Sequence, residues 1–208
     1  MGDFISVAKS RRSVNKFLTG IEIPNQDLDD IFQIVKFAPS AFNLQHTHYL
    51  VLKDQNKIEQ VYEASGQYKV KTASAVIVVL GDLEAYRQVG HIHEGLLNLG
   101  VMSQQEFDMT VEMVTQMYED RGDVFKRDEA IRNASLSAMQ FMLTAKEKGW
   151  DTCPMIGYDA EKLQQLLSIP GRYVPVMLIA IGKEDSSSQR PRGYRKPVGE
   201  FVSFNTMP

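Results

Sequence analysis

The chain has 208 residues, enough for one domain with a substantial core, and at 43% hydrophobic and 24% charged it reads as a globular protein. A formal net charge of −3 and a pI of about 5.8 argue against general nucleic-acid binding. A single cysteine, Cys153, excludes an internal disulfide and fits a reducing, cytoplasmic setting, and no apolar run reaches the roughly 18 residues that would cross a membrane.

The N-terminus lacks the basic and apolar regions of a signal peptide, although Met1-Gly2-Asp3-Phe4-Ile5-Ser6 fits a loose N-myristoylation pattern. Residues 3–10 predict a short helix. Arg11-Arg12-Ser13-Val14-Asn15-Lys16 follows, a basic segment without clean period. Asn25 is placed as an N-cap, and Leu28, Ile31, Phe32 and Val35 give the i, i+3, i+4, i+7 stripe of a helix packed on a core. Pro39 ends that helix, having no N–H to donate and clashing with the preceding turn. It opens the stretch Ala38-Pro39-Ser40-Ala41-Phe42-Asn43-Leu44-Gln45. In an extended segment Asn43 and Gln45 face the same way. Two amides so placed suit a ligand edge that alternates donors and acceptors, such as the pyrimidine half of a flavin. A well-capped loop is the plainer reading of the same residues.

Residues 48–53 alternate as a strand, 55–64 predict a helix, and 75–80 form a β-branched run of strand length ended by Gly81. Such continuous runs belong to strands buried on both faces. Residues 94–121 are polar, Met-rich and predicted helical. Residues 129–148 give the longest helix, with Ala130, Ala134, Ala138 and Ala145 small enough for close approach and apolar residues on more than one face, a pattern that hints at a subunit interface. Gly149 ends it. Residues 150–157 form a strand or loop, 160–167 a helix and 174–181 a second buried strand. Beyond Gly182 the chain turns linker-like, then ends in the alternating Phe201-Val202-Ser203-Phe204, a strand-like tail that needs a sheet edge to join. No repeat and no second domain is visible, so residues 1–208 read as one domain.

Two basic clusters stand out in this acidic chain: Arg11, Arg12, Ser13 and Lys16 near the start, and Arg190, Arg192, Arg195 and Lys196 near the end. Arginine forks match phosphate bidentately, so the two could converge on one phosphate. No glycine-rich phosphate loop is present. The pairs His46/His48 and His91/His93 would each face one way in a strand, but no third ligand stands at a telling spacing, and no metal site is assigned. Ser40 lacks a nucleophile elbow, and Cys153 has no assignable base.

Taken in order, Arg11-Arg12-Ser13-Val14, residues 38–45, residues 75–81, Asn133-Ala134-Ser135-Leu136, Lys148-Gly149-Trp150-Asp151-Thr152-Cys153 and residues 174–182 make the chain resemble the FMN-dependent nitroreductase family, specifically its compact bacterial NAD(P)H nitroreductases. The resemblance implies an α+β fold with a central mixed β-sheet flanked by helices. It implies a domain-swapped-tail homodimer in which a C-terminal arm, about 183–208, reaches the partner subunit, with two FMN sites each built from both subunits. It places Arg11 and Ser13 on the FMN phosphate and ribityl chain, with Arg12 adjacent. Pro39, Ser40, Ala41 and Asn43, with Gln45, come from the other subunit. Lys69 sits near the N1–O2 edge of the ring with Gln67 close by, Asn133 near the pyrimidine, Gly157 offers a backbone N–H to N5, and Arg195 meets the phosphate. Phe42 and Phe125 are candidate substrate-pocket walls.

The sequence departs from the family pattern at Asn15, where many relatives carry Lys or Arg, at Ile156, where some carry Glu, and at Gly193, where some carry Lys; these departures bear on flavin affinity and potential. The implied activity is ping-pong, two-electron hydride transfer from NADH or NADPH to nitroaromatics, quinones or similar small-molecule acceptors, with the chemistry carried by FMN and no obligatory side-chain acid or base. Dehalogenation, enone or azo reduction, and a non-catalytic flavin-binding or redox-sensing dimer, are the alternatives on the same scaffold.

Overall fold

A computed structural model describes residues 3–207. Met1 and Gly2, the first positions of the acylation-type pattern, lie outside the described residues. In chain order the helices are α1 (Phe4–Ser10), α2 (Asn25–Val35), α3 (Gln55–Ser65), α4 (Tyr68–Thr72), α5 (Val89–Asn98), α6 (Gln104–Glu147) and α7 (Ala160–Leu167). The strands are β1 (Thr47–Leu52), β2 (Ala75–Asp82), β3 (Asp151–Met155) and β4 (Tyr173–Gly182).

The strands form one sheet in the order β1-β2-β4-β3, and all three pairings are antiparallel. The parallel component expected of a mixed sheet is confined to an isolated bridge between Ser13 and Thr152. The two long apolar runs occupy the middle, with helices on both faces. Along β2, Val76, Val78 and Leu80 join one core with Ile58 and Val61 of α3 and Leu163 of α7. Ala75, Ile77 and Val79 join the opposite core with Leu28 and Ile31 of α2 and Phe141 of α6. Alternate side chains point to opposite faces of a strand, so a strand covered on both sides must be apolar throughout. At Gly81 the backbone of α6 comes close, and a Cβ there would lie 2.9 Å from the main-chain carbon and oxygen of Ala130.

The helix expected over 94–121 is split, since α5 ends at Asn98 and α6 starts afresh at Gln104. Residues 129–148 are helical up to Glu147 as the C-terminal part of α6, which is broken at Gly122 (φ 70°, ψ −170°), a conformation essentially confined to glycine. Its start is a capping box, in which the Ser103 hydroxyl accepts from the Glu106 N–H and the Glu106 carboxylate accepts from the Ser103 N–H. Asn25 is the first helical residue of α2 rather than its cap; Pro24 takes the cap position, and the Asn25 amide oxygen accepts from Lys53 at 2.8 Å. Residues 201–204 form no strand, and Phe201 and Phe204 are exposed. The tail joins no edge of its own sheet: β1 and β3 are each paired on one side, to β2 and β4.

Candidate functional site

The predicted polar residues gather in two places. The first lies beside edge strand β3. Val14 N–H donates to the Thr152 carbonyl at 3.1 Å, which carries Ser13 and Arg11 along that edge. Arg11 is half-buried, and its Nη1 is buried without a partner. Burial first, then the nearby Arg192 and Arg195 guanidiniums, lower its proton affinity. Two further cations therefore lie within electrostatic reach of a donor that no protein oxygen satisfies, a setting suited to an anion with several acceptor oxygens. On the same side, Lys69 Nζ approaches Cys153 Sγ at 3.4 Å. A Cβ on Gly157 would lie 3.2 Å from Gln67 Nε2, so the glycine leaves room beside the amide. Ile156, next to it, is 82% exposed.

The arm is moored to this region by other residues of the same motif. Arg12 donates to the Arg190 carbonyl and lies 3.9 Å from Glu184, and Asn15 donates to the Ser188 carbonyl at 3.4 Å. Arg192 donates to the Lys9 carbonyl and, at 3.2 Å, to that of Arg11. Arg12, Asn15 and Arg192 thus all tie the arm to this segment. Arg195 is turned onto the carbonyls of Gly193 and Tyr194, at 3.1 and 2.9 Å.

The second group lies beside the opposite edge strand, β1. A cavity of about 260 Å³ is lined by Pro39, Ser40, Gln45, Tyr49, Asn133 and Ser137, among others. Ala41 N–H donates to Asn133 Oδ1 at 2.8 Å, and Gln45 N–H donates to Ser40 Oγ at 2.9 Å. Asn133 in turn donates to the Glu129 carbonyl at 2.7 Å. Asn43 and Gln45 do not lie in an extended segment. Phe42, Asn43 and Gln45 all have positive φ, between 50° and 55°, and residues 41–43 coil into a single 3₁₀ turn. Non-glycine residues are held there only where the surroundings over-determine them. The Asn133 and Ser40 hydrogen bonds supply that constraint. N133A leaves the Ala41 N–H without its acceptor and is expected to cost about 1–3 kcal/mol. Thermal denaturation measures the loss, and hydrogen exchange at Ala41 shows whether it is local.

Sequence reasoning missed Tyr49 and Ser137, whose hydroxyls meet at 2.6 Å inside this cavity. The signal was available in part, since Ser137 lies four residues beyond Asn133 and so on the same helix face. Of the two candidate pocket walls, Phe42 is 40% exposed beside the cavity residues. Phe125 is packed edge-on against Tyr118, with the Arg121 guanidinium over its ring.

The histidine pairs do not form a metal site, and no group of three or more His, Cys, Asp or Glu able to hold a metal occurs among the described residues. His46 is buried while His48 is exposed, and His91 and His93 lie on helix α5, where neighbours two apart point to different sides. Burial pushes the His46 pKa down to about 4, with Asp82 opposing weakly. Below pH about 6.5 the unfolded chain takes up a proton that the folded chain refuses until about pH 4, so stability falls across that window. The loss by pH 4 is about 3 kcal/mol from this residue. Urea midpoints at pH 7 and pH 4 should therefore differ by less in H46Q than in the wild type.

Three comparisons place the chain among known proteins. The model of the nitroreductase family matches residues 8–183. MhqN of Bacillus subtilis, named for NAD(P)H nitroreductase activity, is 55% identical over 98% of this chain and 100% of its own. The CLA biosynthesis enone reductase of Lactiplantibacillus plantarum is 30% identical over 87% of this chain and 85% of its own. Among solved structures, a nitroreductase from Exiguobacterium sibiricum in complex with FMN superposes with a TM-score of 0.90 at 30% identity, covering 99% of this chain and 98% of that one.

Proposed function

The chain belongs to the nitroreductase family, and on that premise we propose that it is an FMN-dependent NAD(P)H oxidoreductase that reduces nitroaromatics, quinones or related acceptors in a ping-pong cycle. The observation that carries the reading is the buried, unpartnered Arg11 Nη1, with Arg192 and Arg195 near enough to act on its charge. That set fits the terminal phosphate of FMN, and the FMN complex of the Exiguobacterium relative supports the same cofactor. When bound, FMN supplies hydride acceptance from a nicotinamide and delivery of two electrons to an acceptor. The chain's own residues bind and orient. Arg11 and Ser13 hold the phosphate end. Lys69, held beside Cys153 on this side of the sheet, would supply positive charge to the flavin ring. Gly157, with no side chain beside the Gln67 amide, would leave room for the ring edge. Ser40, Ala41, Gln45 and Asn133 supply donors and acceptors fixed in advance by the strained loop.

One subunit cannot assemble this site. The two groups lie at opposite edges of the sheet, with β2 and β4 between them, about 14 Å at ordinary strand spacing. They also lie against opposite faces, since Cys153 belongs to one core while the β1-side cavity is lined by Phe32 and Tyr49, which pack on the other. A second copy that brings its β1-side group to the first copy's β3-side group completes the site. An apolar groove of about 890 Å³, lined by Phe4, Val7, Ile34, Leu136, Met139 and Leu143, and an arm whose Phe201 and Phe204 are exposed, supply surface for that homodimer. On this reading the chain is a single domain whose C-terminal arm begins at about residue 183. No helix among the described residues is long and apolar enough to cross a membrane.

The test is the visible spectrum of the purified protein under nitrogen. A flavin band that bleaches on adding NADH or NADPH and returns on adding a quinone or nitroaromatic supports the reading. A colourless protein that takes up no added FMN overturns it, and bound flavin that NADH and NADPH leave unbleached points to a flavin-binding rather than catalytic dimer.

A further inference from the structure

His46 follows the strained loop directly, and its side chain turns away from the β1-side cavity that Gln45 lines. It is one of the largest fully buried side chains in the molecule, at 1% exposed. Its Nε2 lies 3.1 Å from the hydroxyl of Tyr118, itself 1% exposed, and the two rings are stacked with centroids 6.1 Å apart. Its Nδ1 is buried with no partner. A histidine that leaves one nitrogen unsatisfied is a poor choice for filling space, because an apolar ring of the same size would avoid that desolvation. What the imidazole provides, and an apolar ring does not, is the bond to Tyr118.

Tyr118 stands four residues before Gly122, where α6 breaks, and Phe125 follows the break. Tyr118 and Phe125 pack edge-on across it, with centroids 5.1 Å apart. Tyr118 also stacks on Tyr86, at 5.0 Å and 9°, whose hydroxyl donates to Glu119. The helix on the N-terminal side of Gly122 is therefore joined to the cofactor loop at one polar point. On its other side His46 is fixed by the main chain, its carbonyl accepting from Asp82 N–H at 2.7 Å, and Asp82 is clamped in turn by Arg172.

We propose that His46 is a positioning residue that, through Tyr118, sets the place of residues 104–121 and of Phe125 relative to the loop 40–45, and so determines which acceptors the enzyme takes. The proposal rests on the flavin oxidoreductase reading. Gly122 interrupts the helix, which the Glu119–Lys126 ion pair at 2.8 Å also spans. A hydrogen bond has a narrow range of length and direction, so the His46–Tyr118 pair fixes the position of the N-terminal segment more closely than apolar packing alone would.

The test compares wild type, Y118F and H46Q, whose amide reaches about as far as Nε2. Hydrogen exchange, which needs no cofactor, is measured first. Y118F, which removes one oxygen and little packing, should speed exchange about tenfold within residues 104–121 and leave the sheet unchanged. With FMN bound, p-benzoquinone and the bulkier menadione are compared as acceptors. The ratio of their kcat/KM values should shift about three- to tenfold in Y118F, while flavin bleaching by NAD(P)H stays within about twofold and H46Q lies near wild type. A uniform rise in exchange, or an unchanged acceptor ratio, overturns the proposal and leaves a packing role. A wild-type protein that never bleaches removes the flavin reading and this proposal with it, and is distinguished because the ratio then cannot be formed for any variant.

Discussion

Replacing Arg11 by glutamine is expected to yield a colourless protein. Arg11 brings a buried, unpartnered Nη1 and a full charge to a place within electrostatic reach of Arg192 and Arg195. A hydrogen bond to a charged group contributes about 1.5–3 kcal/mol, so R11Q should weaken FMN binding about 10- to 100-fold. R11K keeps the charge but loses the planar fork, and should fall between. The direction of the stability change separates binding from structure. Without an anion, Arg11 repels two like charges and leaves a donor unsatisfied, so the apo form of R11Q should melt at the same temperature as wild-type apoprotein or higher. Its holo form should lose most of the stabilisation that FMN gives the wild type. Fluorescence titration with FMN and melting curves with and without it measure both. An equal fall in apo stability and affinity would assign Arg11 to the scaffold and not to the cofactor.

G81A is expected to be the most damaging single methyl group in the sheet. Gly81 is buried in β2, and the added Cβ would lie 2.9 Å from the carbon and oxygen of the Ala130 carbonyl and 3.0 Å from its Cβ. Two of these three atoms are main chain, so no rotamer change relieves the contact. Either the strand or α6 must move. Overpacking of this kind costs about 3 kcal/mol. Asn133 is one turn beyond Ala130 on α6, so a helix pushed off the sheet also withdraws the acceptor of Ala41 N–H and disturbs the loop 40–45. The expected result is a lower urea midpoint together with weakened flavin binding. Adding A130G should recover little, because it removes only the side-chain atom of the three. Full recovery would place the strain in the Ala130 methyl instead of in the approach of the two backbones.

Much of the fold was legible. The runs at 75–80 and 174–181 read as strands buried on both faces because every position is apolar, and both are the central strands. The helix over 28–35 and the small-residue helix over 130–145 read correctly from spacing, since side chains at i, i+3 and i+4 share one face whatever they pack against. Strand direction was not legible. An apolar run has the same composition whether its neighbours run parallel or antiparallel, and the sheet proved antiparallel with one isolated parallel bridge at Ser13. The tail at 201–204 alternates like a strand yet pairs with neither edge of its own sheet, because alternation sets which side chains share a face and not whether a segment reaches an edge.

The candidate site divides in the same way. The sequence by itself determined the residue types: arginines near both ends, the polar corner after Pro39, an asparagine within the long helix, and through them the family. Those are local chemical facts, carried by each side chain wherever it goes. Only the tertiary structure decided which of them meet. It turned Arg12 and Asn15 to the arm and left Arg11 as the unsatisfied cation. It gave Asn43 and Gln45 left-handed backbone where an extended one was expected. It also set the two polar groups on opposite edges of one sheet. The physical reason is that such meetings join residues distant in sequence, as Ala41 does with Asn133, and rest on hydrogen bonds and charges whose partners no single segment contains.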